Sequence, residues 1–214
     1  LAGPPGTCKT STAIRLAQNM GLTNGDNNFN TSNFINIPVG RAWVSSRDIL
    51  GFYNSLKDVY QPARTGLYEF LKSDHNQDYM KLILLDEANL SSVEHYWSDF
   101  LSMCDPEGRN RKIDSGIPSD DDRHISVSKG VRFIATINND ASTERLSPRL
   151  IDRVPVIGLN HNSDFKSNLL KTIDFDGAIP NESIESCFDV NIYESSFTTE
   201  EENSLEQIIE ILRA

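Results

Sequence analysis

The predicted fold of this 214-residue chain is decided by residues 1–10, which read Leu1-Ala2-Gly3-Pro4-Pro5-Gly6-Thr7-Cys8-Lys9-Thr10. A phosphate-binding loop has the pattern of a glycine, four residues, and then Gly-Lys-Ser/Thr. This stretch matches the pattern except at Cys8, which stands where the second glycine is usual. Glycines let the backbone wrap around phosphate oxygens with its N–H groups turned inward. The stretch therefore predicts such a loop, the Walker A motif, leading into a helix over residues 9–20.

Three features of this stretch suit the chemistry of a bound nucleotide. Lys9 supplies a mobile positive charge for the outer phosphates, and the Thr10 hydroxyl can bind Mg²⁺. The following helix points its positive N-terminal end at the same anion. The alternative is a proline-glycine turn before an ordinary amphipathic helix. The residues predicted to bind the nucleotide are Gly3, Pro4, Pro5, Gly6, Thr7, Cys8, Lys9, Thr10 and Ser11.

A second signal is a continuous apolar run that ends in two carboxylates, Lys81-Leu82-Ile83-Leu84-Leu85-Asp86-Glu87. Such a run is typical of a strand buried on both faces of a parallel sheet. Acids at its carboxyl end would lie in the crevice where open α/β sheets bind ligands. We therefore predict that Asp86 holds Mg²⁺, largely through water, and that Glu87 orients or deprotonates an attacking water. The alternative is a strand that ends in solvated charges.

Two further signals follow in the same order along the chain. Residues 131–138 predict another buried strand, and its terminal Asn138 can hydrogen-bond the attacking water or the terminal phosphate if the two strands are neighbours. Residues 142–153 predict a short helix with Arg145, Arg149 and Arg153 at a spacing of four, on one face. These arginines form either a solvated, salt-bridged face or an arginine finger that reaches a neighbouring subunit's nucleotide.

The remaining pattern predicts the elements that surround these motifs. A helix from Ser91 or Ser92 to Cys104 carries an apolar stripe that we interpret as core. The long insertion 105–130 contains apolar patches at Ile113 and at 125–127 that can pair as a hairpin, and an acidic tip at 120–122. Residues 51–54 form either a functional loop or a turn with packed aromatics. Further predicted elements are a strand at 34–39, a helix at 67–73 and a last strand at 154–159.

Charge and composition limit the classes of function. The net charge is −11, and residues 155–214 hold 3 Lys/Arg against 12 Asp/Glu. A domain that grips DNA phosphates is usually basic, so we expect any DNA contact to lie outside this segment. Cys8, Cys104 and Cys187 lack metal-ligand spacing and suit the reducing cytoplasm. No apolar run approaches the length of a membrane helix. Because such a loop normally follows a buried strand, we expect further residues upstream of Leu1.

The ordered set of motifs resembles the motor domain of AAA+ proteins, and more narrowly the McrB-type branch, which drives modification-dependent restriction, with its MoxR and dynein-like relatives. The narrower resemblance is carried by Trp43 and by the stretches 48–54, 85–90, 93–101, 136–140 and 146–153. The resemblance implies a P-loop NTPase fold, a three-layer α/β/α parallel-sheet domain over residues 1–159. Residues 160–214 would form an acidic, mainly helical segment, for which the start of a lid is one interpretation.

The resemblance also implies roles for the site residues. It places Walker A at 3–10, Walker B at Asp86 and Glu87, and sensor 1 at Asn138. It makes Arg153 the first candidate for the arginine finger, with Arg149 and Arg145 as alternatives. It implies Mg²⁺ and ATP or GTP as cofactors and a homo-oligomeric ring, usually of six, with the 105–130 hairpin used for partner or substrate contact.

Several functions stay open from the sequence. The first is an ATP-hydrolysing motor of a restriction or phage-defence system, with a McrC-like nuclease partner; a GTP-specific motor is the variant of it. The second is a MoxR-like chaperone ATPase that acts on protein. The third is a nucleotide-binding switch without hydrolysis, for which the departure at Cys8 is the argument.

Overall fold

The computed structural model describes residues 1–23, 33–73, 80–101, 103, 112–119, 123–140 and 143–159. The strands are β1 (Ala2–Gly3), β2 (Phe34–Pro38), β3 (Gly51–Asn54), β4 (Val59–Pro62), β5 (Lys81–Asp86), β6 (Lys112–Asp114), β7 (His124–Ser126), β8 (Val131–Ala135) and β9 (Ile137–Asn138). The helices are α1 (Lys9–Asn19), α2 (Ser46–Ile49), α3 (Leu67–Lys72), α4 (Val93–Tyr96), α5 (Ser98–Leu101) and α6 (Pro148–Ile151), with a 3₁₀ turn at Ala88–Leu90.

The central strands are all parallel. β5 pairs with β2 on one side and with β8 on the other. After Thr136, β9 continues from β8 and pairs with β1, and Gly158 forms a parallel bridge with Ala2 on the far side of β1. The strand that ends in Asn138 therefore lies between the strand that ends in the phosphate loop and the strand that ends in Asp86. All three carboxyl ends meet at one edge of the sheet, as predicted.

Helices cover both faces of this sheet. Ile83 and Leu85 of β5 belong to the main hydrophobic cluster, together with residues of α2 to α5. Because alternate strand residues point to opposite faces, Leu82 and Leu84 lie on the other face, and they too are fully buried. Helix α1 contacts β5 and buries Ala13 and Ala17. The described residues thus form an α/β domain with the P-loop fold and three layers, as the sequence predicts.

The helix predicted from Ser91 or Ser92 to Cys104 is interrupted. The backbone of Trp97 leaves helical geometry at φ −107° and ψ 12°, which separates α4 from α5. The predicted apolar stripe is confirmed as core within the described residues, since Tyr96 and Phe100 are fully buried. Burial also raises the pKa of Tyr96, so its hydroxyl stays protonated and donates to the Ala88 carbonyl at 2.9 Å. Cys104 lies outside the described residues.

Two hairpins extend from this core. The predicted pairing across the 105–130 insertion is confirmed, because β6 and β7 are antiparallel with Ile113 opposite Ile125. Both isoleucines are buried. The acidic tip at 120–122 lies outside the described residues. The sequence did not predict the second hairpin, in which residues 51–54 form β3 and pair antiparallel with β4.

Two predicted elements are shorter than expected. The arginine helix spans only Pro148–Ile151, so the prediction of Arg145, Arg149 and Arg153 on one helical face is wrong. Proline lacks an N–H and disfavours helical geometry in the residue before it, so the helix begins at Pro148, with Ser147 as its cap. The predicted last strand, 154–159, pairs with β1 only around Gly158.

Within the described residues, no helix has both the length and the apolar character needed to cross a membrane. The predicted boundary between residues 159 and 160 coincides with the end of the described residues. That boundary, and the helical segment predicted after it, stay predictions.

One buried cation fixes helix α3 to the sheet. Lys81, at the start of β5, is only 3% exposed. Its Nζ donates to the carbonyls of Phe70 and Ser73, at 3.1 and 2.8 Å, and to the Ser73 hydroxyl at 3.0 Å. The last carbonyls of a helix lack partners within the helix, and a cation is favourable at this end. Lys81 therefore caps α3.

We predict that Lys81→Met lowers the free energy of unfolding by about 1–3 kcal/mol, because buried carbonyls lose a charged donor. Urea denaturation measures the change. The matched control is Lys57→Met at an exposed position, for which we expect a change within about 0.5 kcal/mol. Equal effects of the two substitutions would contradict the capping role.

Candidate active site

The loop between β1 and α1 has the backbone of a phosphate-binding loop. Gly6 and Cys8 both adopt positive φ, at 80° and 58°, so the loop turns twice through left-handed geometry before α1 begins. Gly3 sits where a Cβ would lie 2.3 Å from the carbonyl oxygen of Leu159, which excludes every other residue without a backbone shift. Cys8 stands where glycine is usual, and its positive φ shows that it adopts the left-handed conformation that glycine adopts most easily.

Lys9 lies inside this loop. The residue is 7% exposed, and its Nζ donates to the carbonyls of Gly3 at 3.0 Å and of Pro4 at 2.8 Å. Its ammonium group is therefore held against the loop backbone, where the sequence predicts the outer phosphates to bind. The other predicted loop contacts, Pro4, Pro5, Gly6, Cys8 and Ser11, are exposed, while Thr7 and Thr10 are half-buried.

One carboxylate oxygen joins three chain segments. The Thr10 hydroxyl, at the start of α1, donates to Asp86 Oδ1 at 2.7 Å. The Thr136 hydroxyl donates to the same oxygen at 2.6 Å. The structure therefore brings together Thr10 and Asp86, the two residues predicted to hold the metal, although they are far apart in sequence.

Glu87 begins a sharp turn beyond β5. Its φ is 52°, one of three positive values at non-glycine residues in the described part of the chain, and Cys8 holds another. The Glu87 N–H donates to the Thr136 hydroxyl at 2.9 Å, and the Glu87 side chain is exposed. Unusual backbone geometry of this kind concentrates at functional sites. The carboxylate is thus presented to solvent beside Asp86 by a backbone that Thr136 fixes.

Asn138 ends β9 directly opposite Gly3 of the loop. Its backbone is held on both sides by Asn89, which accepts from the Asn138 N–H at 3.1 Å and donates to the Asn138 carbonyl at 2.8 Å. The Thr143 hydroxyl donates to the same carbonyl at 2.9 Å. The predicted sensor residue therefore stands at the same edge of the sheet as the loop and the carboxylates.

The predicted arginines lie on the segment that follows. Arg145 and Arg149 are exposed, and Arg153 is half-buried. The Arg153 guanidinium donates to the Arg149 carbonyl at 3.2 Å. Exposure leaves Arg149 accessible to a neighbouring molecule, and the role of either arginine in a second subunit's site stays a prediction.

Two site residues were missed by the sequence analysis. Thr136 and Asn89 are almost fully buried, at 1% and 4% exposure, and both fix the predicted catalytic residues. A weak signal existed in each case: Thr136 is a polar residue within an apolar strand, and Asn89 follows the two carboxylates by two positions. Their partners depend on which strands are neighbours, and no single stretch of sequence contains that information.

In the parts of the chain that the structure describes, no group of three or more His, Cys, Asp or Glu side chains could hold a metal ion. The pair formed by Thr10 and Asp86 is of a different kind. A hydroxyl and a carboxylate are oxygen ligands, which suit Mg²⁺, and this ion usually takes only one or two carboxylates and keeps several waters.

No protein-family model and no curated protein matches this chain. Among solved structures, a candidate ATPase from Cytophaga hutchinsonii is similar, with 19% sequence identity and a TM-score of 0.42. The match covers 75% of this chain and 40% of that protein, so the chain spans less than half of its length. At this level the likeness carries no argument, and the fold assignment rests on the strand order and the loop geometry.

We predict that Cys8→Gly raises the free energy of unfolding by about 0.5–1 kcal/mol. A left-handed backbone costs a non-glycine residue on the order of 1–3 kcal/mol, which exceeds the entropy that glycine loses on folding. Urea denaturation measures the effect. The control is Gln18→Gly, at an exposed position within α1, which should lower stability by about 0.5–1 kcal/mol. Loss of stability in both variants would be the contrary result.

We further predict that Thr136→Val, which keeps the shape of the side chain, destabilises the fold by about 1–3 kcal/mol. The substitution removes a donor to Asp86 and leaves the Glu87 N–H without its acceptor. Thermal and urea unfolding report the change. The control is Thr12→Val, which removes an exposed hydroxyl with a single hydrogen bond, to the Cys8 carbonyl, and should alter stability by no more than about 0.5 kcal/mol. A neutral Thr136→Val would show that Asp86 and Glu87 do not depend on this hydroxyl.

Proposed function

We propose that the chain is the nucleotide-hydrolysing core of an AAA+ motor, with ATP as its nucleotide. The observation that carries the proposal is the 2.7 Å hydrogen bond from the Thr10 hydroxyl to Asp86. It joins the start of α1, directly after the loop, to the acidic end of β5, so that the residues proposed to bind phosphate lie beside those proposed to hold a metal. The alternative, a proline-glycine turn that binds no ligand, does not explain why the residues after the turn contact the acidic end of β5.

Residues of the loop would bind the triphosphate. Glycine backbone geometry turns N–H groups toward a bound anion, and the N-terminus of α1 adds a partial positive charge. Lys9 would direct its ammonium to the outer phosphates, exchanging its carbonyl contacts for charged partners. Thr10 and Asp86 would hold Mg²⁺, which would offset the negative charge of the phosphates.

The remaining residues would act on the attacking water. Glu87 carries an exposed carboxylate one position beyond the metal-binding residue, which suits a group that orients or deprotonates water. Asn138 lies opposite Gly3 and would hydrogen-bond the same water or the terminal phosphate. Charge on the transferring phosphoryl group would be stabilised by an arginine of a neighbouring subunit, with Arg153 and Arg149 as candidates.

The finer assignment is a McrB-like motor of a restriction or phage-defence system. Its support is the sequence resemblance over residues 1–157. On this proposal the chain assembles into a homo-oligomeric ring, usually of six, works with a McrC-like nuclease, and leaves DNA contact to other regions. GTP in place of ATP is the variant of the same proposal, because nothing in residues 1–10 recognises the base.

We predict that Glu87→Gln retains nucleotide binding and lowers hydrolysis at least 100-fold, because the amide cannot take a proton from water. General-base catalysis contributes roughly 10²–10⁴-fold to the rate. Lys9→Ala should instead weaken binding at least tenfold, because the charged contact to phosphate is lost. Phosphate release and the Kd of a fluorescent ATP analogue measure the two effects in the full-length protein.

Glu69→Gln is the control, since Glu69 is an exposed carboxylate on α3, away from the loop. It should match the wild type in both assays. Full activity in Glu87→Gln would contradict the mechanism. Nucleotide binding by the wild type without any phosphate release would contradict hydrolysis and support the switch.

A further inference from the structure

Asn89 connects the three segments that carry the proposed catalytic residues. Two positions after Glu87, it is 4% exposed and lies in the 3₁₀ turn that follows β5. Its side chain accepts from the N–H and donates to the carbonyl of Asn138, and it also donates to the Glu144 carbonyl at 3.1 Å. Its backbone carbonyl accepts from the Glu144 N–H at 2.9 Å.

We infer that Asn89 is a positioning residue that sets Asn138, and the arginine-bearing segment from Glu144 onward, relative to Glu87. The inference rests on the proposed hydrolysis and concerns the same site. Asn89 does not bind the nucleotide; it fixes the backbone of groups that do the chemistry. It should therefore control the rate of hydrolysis and leave nucleotide affinity almost unchanged.

An amide is suited to this position by its chemistry. An asparagine side chain presents an oxygen acceptor and an amide group with two N–H donors. In Asn89 the oxygen accepts from the Asn138 N–H, and the amide group donates to the carbonyls of Asn138 and Glu144. No other side chain of this length offers both functions at once. The pattern is that of a backbone pairing, so Asn89 continues the pairing to β9 beyond the end of β5.

The turn that carries Asn89 is itself immobilised. The Ala88 N–H donates to the Thr136 carbonyl at 2.8 Å, and the Ala88 carbonyl accepts from the buried Tyr96 hydroxyl. Because Ala88 lies between Glu87 and Asn89, these two hydrogen bonds restrain the turn and so oppose a displacement of Asn138 relative to Glu87. A misplacement of about 1 Å in such a group can cost on the order of 100-fold in rate, because reacting groups must be aligned.

The test is Asn89→Asp in the full-length protein. The aspartate keeps the acceptor for the Asn138 N–H and removes both donations, to Asn138 and to Glu144. We expect the single-turnover rate of ATP hydrolysis to fall at least about tenfold, with the Kd of a fluorescent ATP analogue within about threefold of the wild type. Both are measured at a temperature where every variant is folded.

Ser91→Ala is the matched control. The buried Ser91 hydroxyl donates to the Gly40 carbonyl at 2.7 Å and accepts from the Trp43 N–H at 3.3 Å. The substitution therefore removes two hydrogen bonds close by, without a contact to Asn138. It should lower stability and leave the rate per bound nucleotide unchanged, which separates positioning from destabilisation.

The outcomes distinguish this inference from the proposal on which it rests. A wild-type rate in Asn89→Asp overturns the positioning role alone, as does an equal loss of rate in Ser91→Ala. A wild-type protein that binds nucleotide without hydrolysis overturns both. If Asn89→Asp does not fold, Asn89→Ser, which buries no charge, takes its place, with the same loss of rate expected and a wild-type rate again overturning the role.

Discussion

Asp86 Oδ1 is the atom on which the candidate site depends, because hydroxyls from two other segments of the chain donate to it. Thr10 belongs to the helix that follows the phosphate loop, and Thr136 lies where one strand pairing ends and the next begins. A carboxylate oxygen accepts several hydrogen bonds at once, and bonds to a charged acceptor are stronger than neutral ones. The relative placement of the loop, the two carboxylates and β9 therefore follows from one acceptor and the parallel strand order around it.

The sequence predicted the parts of the fold that local chemistry determines. The apolar run before Asp86 is typical of a strand buried on both faces, and the carboxyl end of such a strand lies at the crevice of an open sheet. The loop, α1 and the paired isoleucines of the insertion could be predicted for the same reason, because each is indicated by a local pattern in the sequence. A single residue, Pro148, determines where the helix of this segment begins. The periodic spacing of the arginines instead predicted a helix from residue 142, which is too early.

What the sequence could not give is the identity of partners across strands. Thr136 and Asn89 act through contacts with residues about 50 positions away, and their importance depends on β9 lying between β1 and β5. The hairpin of β3 and β4 was missed because its residues alternate weakly and its aromatics suited a turn equally well. The contacts that the prediction lacked depend on which strands are neighbours and on their register, and the composition of a single stretch does not contain this information.

Gly3 has a consequence for the comparison of related sequences. The carbonyl of Leu159 leaves no room for a Cβ at this position, whether or not a phosphate binds. Glycine here would persist in a homologue without the proposed activity, so its presence is poor evidence of that activity. Glu87 is exposed and has no comparable packing constraint on its side chain. Retention of that carboxylate is therefore the more informative marker when active and degenerate copies are to be told apart.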